Sequence, residues 1–236
     1  MRVIPLISAA LVVSLAVPTL AQEWTEFISR DDGFKVVFPG QPRVTDITYK
    51  TYQGADLPAR VYSVDRGRER YSMTVVDYRQ VERTLTEKAK ACPPWADERC
   101  TGVPIVGLGY WRMDLGGAMA YAILGFLKRD AKLTDLSWNW QDLVEGYLLQ
   151  LTNNADQSRT FAAIHMHENR LYILEGTVPK GYPAPGIFQQ SMGFVDADGN
   201  GVRYQSVYSN LYPAPPRTRG GQGGAAGAGN PAGGIR

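Results

Sequence analysis

Four groups of residues have types and spacings that could do chemistry. The run Asp196-Ala197-Asp198-Gly199-Asn200-Gly201 sets oxygen-bearing side chains at alternate positions ahead of a glycine, the opening of a calcium loop. Calcium takes several oxygen ligands held by a sharp turn, and Asp196, Asp198 and Asn200 would be those ligands. The twelfth position is Val207 rather than a bidentate glutamate, which excludes a full EF-hand and leaves a polar β-turn as the competing reading. His165 and His167, the only histidines, share one face if their segment is a strand. Zinc or copper would need a further ligand from a carboxylate, so a pair of half-exposed strand residues is the simpler expectation. Trp138 and Trp140 flank Asn139; on an extended segment the two indoles lie on one side and form a stacking platform for a sugar or aglycone, or else cover a sheet. Cys92 and Cys100, the only cysteines, are expected to form a disulfide in an exported chain, closing a loop whose entropy is worth roughly 2.5 kcal/mol in the chain-entropy model.

Catalytic motifs are missing. Ser191 lies in Gln190-Ser191-Met192-Gly193, not in a nucleophile elbow. Gly107-Leu108-Gly109-Tyr110-Trp111-Arg112 begins like a dinucleotide fingerprint but has Arg112 at the third glycine position. No P-loop or His-Glu-x-x-His occurs. A carboxylate pair meeting in space is the one catalytic device such a sequence leaves open.

The elements that must position these groups lie between two distinctive ends. Residues 1–21 carry Arg2, an apolar run from Leu6 to Val17, and small residues before Gln22. That is a secretory signal peptide with cleavage after Ala21, and no other run approaches the roughly 20 apolar residues of a membrane-spanning helix. Residues 213–236 hold eight Gly, five Ala and four Pro, a composition expected to stay disordered. The 191 residues of 22–212 suit a single domain. Setting aside Arg2 and the tail's Arg217, Arg219 and Arg236 leaves 21 basic against 23 acidic residues there. Nucleic-acid binding wants a clustered basic face, and this balance does not supply one.

Within the body, Phe34–Phe38 reads as a strand ahead of Pro39-Gly40. Ala59 to Val64 and Tyr71 to Tyr78 read as a hairpin about Asp65-Arg66-Gly67-Arg68. Val81 to Ala91 reads as a short helix, and Gly117 to Lys128 as a longer one with Met119, Ile123, Leu124 and Leu127 on its apolar side. Tyr147 to Thr152, Phe161 to His167 and Leu171 to Val178 read as successive antiparallel strands. Ile187 to Phe194 reads as one short helix, followed by the Asp196 to Gly201 loop and a closing strand from Val202 to Tyr208. Strands in runs with helices set between them indicate α+β.

Three segments, Gly33 to Pro42, Arg170 to Gly176 and Phe188 to Phe194, together resemble the PsbP-like fold. The resemblance implies an α/β/α sandwich, an antiparallel sheet covered by helices, and a non-enzymatic accessory or binding role; it assigns no functional residue. Three readings follow. The first is an exported module, periplasmic or secreted, that binds a small molecule or a protein without catalysis. The second is an envelope-associated interaction protein tethered through the 213–236 tail, and the third a hydrolase using a carboxylate pair.

Overall fold

Alternating side chains and tight two-residue turns build most of the chain into antiparallel hairpins. The computed structural model describes residues 24–91 and 111–218. Strands β1 (Thr25–Ser29), β2 (Phe34–Phe38), β3 (Arg43–Lys50), β4 (Asp56–Arg66) and β5 (Glu69–Asp77) lead to helix α1 (Val81–Lys90). Helix α2 (Trp111–Leu127) comes next, then β6 (Ala131–Gln141), β7 (Val144–Asn153), β8 (Arg159–His167) and β9 (Arg170–Val178), with α3 (Gly186–Ser191), β10 (Gly193–Val195) and β11 (Gly201–Val202) at the end.

The turns set the register. Arg66 pairs with Glu69, leaving Gly67-Arg68 as the loop, and Gly67 has φ +60°, the positive value that the first central residue of a type II′ turn requires. Between β8 and β9, Glu168 and Asn169 have φ 47° and 57°; between β6 and β7, Asp142 and Leu143 have 50° and 64°. Two successive positive values define type I′, whose twist matches that of the strands. A leucine there is strained, and the amide of Tyr208 holds it by donating to the Leu143 carbonyl at 2.7 Å.

Seven strands form one antiparallel sheet in the order β3-β4-β5-β9-β8-β7-β6, and β1-β2-β10-β11 form a smaller one. The edge strands β3 and β6 of the large sheet are mostly exposed, while its central strands pack apolar side chains on both faces. On one, Leu57, Val76, Leu149, Ile164 and Leu171 pack against Val81 and Leu85 of α1 and Ala118, Ala122 and Phe126 of α2. On the other, Tyr71, Met73, Tyr172 and Leu174 pack against Phe34, Val36 and Phe38 of β2, Phe188 of α3 and Phe194 of β10. The architecture is therefore mostly antiparallel sheet with few helices, and the second face is covered largely by the small sheet.

Several elements differ from the sequence expectation. Among the described residues helix α2 already runs from Trp111, and its inward stripe is Asp114, Ala118, Ala122 and Phe126; Leu124 and Leu127 are exposed. An almost wholly apolar helix has no single apolar side to read, and the small alanines are what let it approach the sheet. The expected helix of 187–194 ends at Ser191, because Gly193–Val195 pairs with β2 and β11. The expected closing strand shrinks to Gly201–Val202. The first residues of the stretch read as a tail are paired to the body: Gln205 and Thr218 donate to the carbonyls of Pro216 and Arg203 at 2.9 and 2.8 Å, and Arg217 pairs with Glu168. Residues 1–21 and Cys92 and Cys100 lie outside the described residues. No helix among the described residues is long and apolar enough to cross a membrane.

Candidate functional site

On the helix-bearing face, the large sheet changes character along its strands. Val76, Leu171 and Met166 face one another across β5, β9 and β8, and one pleat further on come Thr74, Ile173 and Ile164. The next row is Arg43, Ser63, Ser72, Glu175 and Ala162; the row after it is Asp65, Arg70, Thr177 and Thr160. Helix α2 supplies the buried apolar partners Ala118, Ala122 and Phe126 for the apolar part of this face and stops at Leu127. An apolar helix laid over hydroxyls and charges would strip them of water without giving them partners, so the polar rows remain open. The result is a basin of about 910 Å³, walled by the β4–β5 turn at Gly67 and Arg68, the β7–β8 turn at Asn153 to Ser158, and Arg129-Asp130 after α2.

Most of the basin's carboxylates are already engaged. Arg129 clamps both oxygens of Glu175, at 2.6 and 2.9 Å, the bidentate geometry that fixes a guanidinium against a carboxylate. Asp130 accepts from the Asn154 amide at 2.7 Å. Asp156 accepts from the Ser158 backbone amide at 2.9 Å, and hydrogen bonds from the Ser158 side chain and backbone hold its carboxyl below the ordinary range. Arg43, Arg68 and Arg70 make no ion pair with any described residue. The hydroxyls of Thr160 and Thr177 bond each other at 2.9 Å.

None of the described residues singled out for chemistry in the sequence lines this basin. In the Asp196 loop, Oδ1 of Asp196 accepts from the amides of Asp198 and Asn200 at 3.0 and 2.8 Å, and Oδ2 faces the Asn200 side-chain amide at 3.4 Å. With Gly199 at φ +87°, this is a β-turn closed by its own aspartate. Hydrogen bonds to the Asn200 amide and its neighbours hold the Asp196 carboxyl below the ordinary range. Among the described residues no group of three or more His, Cys, Asp or Glu is placed to hold a metal ion.

His165 and His167 do share a face, but they are 1% and 2% exposed, not half-exposed, because the small sheet covers that face. His165 Nδ1 lies 3.2 Å from the Glu145 carbonyl. His167 sits among Phe194, Tyr208 and Tyr204, with ring centroids at 4.6, 5.1 and 5.7 Å. Burial pulls them down to about 4 and about 3, helped for His167 by Arg217 and Arg170, so both are neutral imidazoles. Trp138 and Trp140 stand on edge strand β6, half exposed, with rings 4.9 Å apart at 52°. They form an open aromatic pair on the expected side-by-side pattern, separate from the basin. Ser191 Oγ accepts from the Val37 amide at 2.8 Å and donates to the Phe188 carbonyl at 3.0 Å, which makes it a strut between α3 and β2.

The signal for the basin was present in the sequence as polar pairs two residues apart: Ser63/Asp65, Arg70/Ser72, Glu175/Thr177 and Ser158/Thr160. Each alone reads as an ordinary solvated strand end.

No family model matches the chain, and no curated protein sequence matches it. Its structure is similar to that of cyanobacterial PsbP (CyanoP) from Synechocystis sp. PCC 6803, with a TM-score of 0.41 and 12% identity over 78% of this chain and 98% of that one. That is the fold family which the sequence motifs resemble. The likeness concerns the fold, and no residue's role passes from it.

Proposed function

We propose that this chain is an exported accessory module that binds a polar small molecule in the basin without transforming it. The observation that carries the reading is the bare polar end that the central strands leave beyond α2. Five strands present hydroxyls and charges there, one pleat away from rows sheathed by α2. Ligand sites run to roughly 300–1,000 Å³ and are mostly lined by apolar side chains; at about 910 Å³ the basin has the size, and its polar lining restricts it to a polar ligand. Export rests on residues 1–21, and an oxidising compartment would suit a disulfide between Cys92 and Cys100. The PsbP-like sandwich belongs to the same proposal, with α1 and α2 on one side and α3 within the cover of the other.

A carboxylate pair is not what this basin offers. Glu175 is spent on Arg129, and Asp156 is held ionised by Ser158. Burial raises Asp114 and Asp142, but neither lines the basin. A general acid wants a raised pKa at the reacting centre.

The test is thermal denaturation of the full chain against a panel of hydroxylated and charged small molecules, in parallel with Ser72→Tyr, which fills the basin floor. Saturation at a hundred times Kd adds about 2.7 kcal/mol of stability. A rise in Tm with one panel class, absent in Ser72→Tyr, supports the reading. If no compound shifts the wild-type chain, the proposal fails.

A further inference from the structure

We infer that the ligand of this basin is a small hydroxylated oxyanion, a sugar phosphate or a hydroxylated polycarboxylate, held by Arg43, Arg68 and Arg70. The inference rests on the basin being a ligand site and names the chemistry that the site selects.

Three of the basin's arginines keep donors that no described residue uses. Each guanidinium offers five donors in a planar fork suited to carboxylate and phosphate oxygens. Arg129 has found its carboxylate in Glu175; the other three basin arginines close no ion pair with a described residue, and Arg68 acts only through its charge on Asp156. Their placement converges. Arg43 on β3 and Arg70 on β5 share one face of the sheet, in adjacent rows, with Ser63 of β4 standing opposite both Arg43 and Ser72. Two strand spacings put β3 and β5 about 10 Å apart, a gap that two arginine side chains can close upon a ligand of a few ångströms. Arg68 lies at the hairpin turn, two residues from Arg70, on the same basin wall.

The basin also calls for hydroxyls on the ligand. Asp65, directly opposite Arg70, is exposed and is the basin carboxylate that accepts no hydrogen bond from a described residue, so an anion's own hydroxyl can donate to it in place of water. Ser63 and Ser72 on the floor add groups that both donate and accept. A bare inorganic anion would leave Asp65 facing it without relief, whereas a neutral polyol would leave three guanidiniums unanswered.

The experiment titrates the full-length chain with glucose 6-phosphate, citrate and glucose by calorimetry, at low and at raised salt. The same titrations follow on Arg70→Gln and Arg43→Gln, and on Arg83→Gln, a control on the outer side of α1. Arg43 and Arg70 are exposed, so these variants keep the fold, which their unchanged Tm verifies. The expected result is binding of glucose 6-phosphate or citrate, whichever source of the oxyanion fits, at least about tenfold weaker in each basin variant, unchanged in Arg83→Gln and weakened by salt. Binding of glucose alone, insensitive to the arginine changes, would overturn the inference while leaving the basin a ligand site. Equal loss in Arg83→Gln would reduce the effect to general surface charge and overturn it too. Absence of binding by all three compounds overturns the oxyanion assignment; the wider panel with Ser72→Tyr then decides whether the basin binds anything.

Discussion

His167 Nε2 and the Tyr204 hydroxyl share a hydrogen bond of 2.7 Å, and both residues are buried. The bond ties the end of β8 to the irregular segment after β11. Around it, Tyr208 stacks on Tyr204 at 4.7 Å and accepts the Glu168 amide at 3.0 Å. One C-terminal segment therefore grips both type I′ turns, Leu143 through the Tyr208 backbone and Glu168 through the Tyr208 side chain.

Acid should loosen this end of the molecule. Both histidines titrate lower in the folded state, at about 4 and about 3, than the ordinary value near 6.5. The unfolded chain binds protons first, so their contribution is whole above about pH 6.5 and is lost as pH falls towards the folded values. His167→Phe should flatten the fall in Tm between pH 6.5 and 4. A slope equal to wild type would assign the acid sensitivity to carboxylates alone.

Gly146→Ala should be strongly destabilising. A Cβ at Gly146 would lie 2.2 Å from His165 Nδ1 and 2.4 Å from the Ile164 carbonyl oxygen, and the carbonyl is backbone in the middle of the sheet. Overpacking of this kind costs about 1–3 kcal/mol, occasionally more. Chemical denaturation should show a lower midpoint, and a midpoint within error of wild type would mean that β7 and β8 separate freely here.

Asp114→Asn should stabilise the chain at neutral pH. Asp114 is wholly buried on α2, and its Oδ1 accepts the Gln53 amide at 3.2 Å. Its Oδ2 lacks a hydrogen-bond partner among the described residues, as do Gln53 Oε1 and Tyr78 Oη. Burial raises its carboxyl above the ordinary 3.8, so ionisation favours the unfolded chain and stability falls as pH climbs past that value. The amide carries no charge and brings donors to a site short of them. The gain in Tm at pH 7 should vanish at pH values below the ordinary carboxylate pKa; a gain independent of pH would point to hydrogen bonding alone.

Ending the chain at Tyr212 should lower the melting temperature relative to the full chain, because Pro216 to Thr218 pair with Arg203 and Gln205 and Arg217 pairs with Glu168. Calcium, by contrast, should leave the Tm of wild type and Asp198→Ala alike, since Asp196 already spends its carboxylate on the turn. A calcium-dependent rise lost in Asp198→Ala would establish the cation loop instead.

Local order was readable from the residues themselves. Phe34–Phe38, the hairpin about Gly67 and the strands β7 to β9 follow from alternation and turn chemistry, both of which act between near neighbours. Strand β3 carries no such signal, because an edge strand exposes nearly every side chain and so shows no alternation. The burial of His165 and His167 could not be read from β8, whose alternation suits water or a covering sheet equally well; only β10 and the chain up to Tyr208, folding back over that face, decided it. The basin is likewise tertiary. Arg43, Ser63, Ser72 and Glu175 become one row only when β3, β4, β5 and β9 pair in register, and along the chain such rows show only as isolated polar pairs at strand ends. The sequence by itself determined the alternation of Phe34–Phe38, of the β4–β5 hairpin and of β7 to β9 with the turns that join them, since those are short-range consequences of sterics and polarity. Tertiary structure decided which face was covered, where α2 stopped, and which polar groups were left facing one another across an open floor.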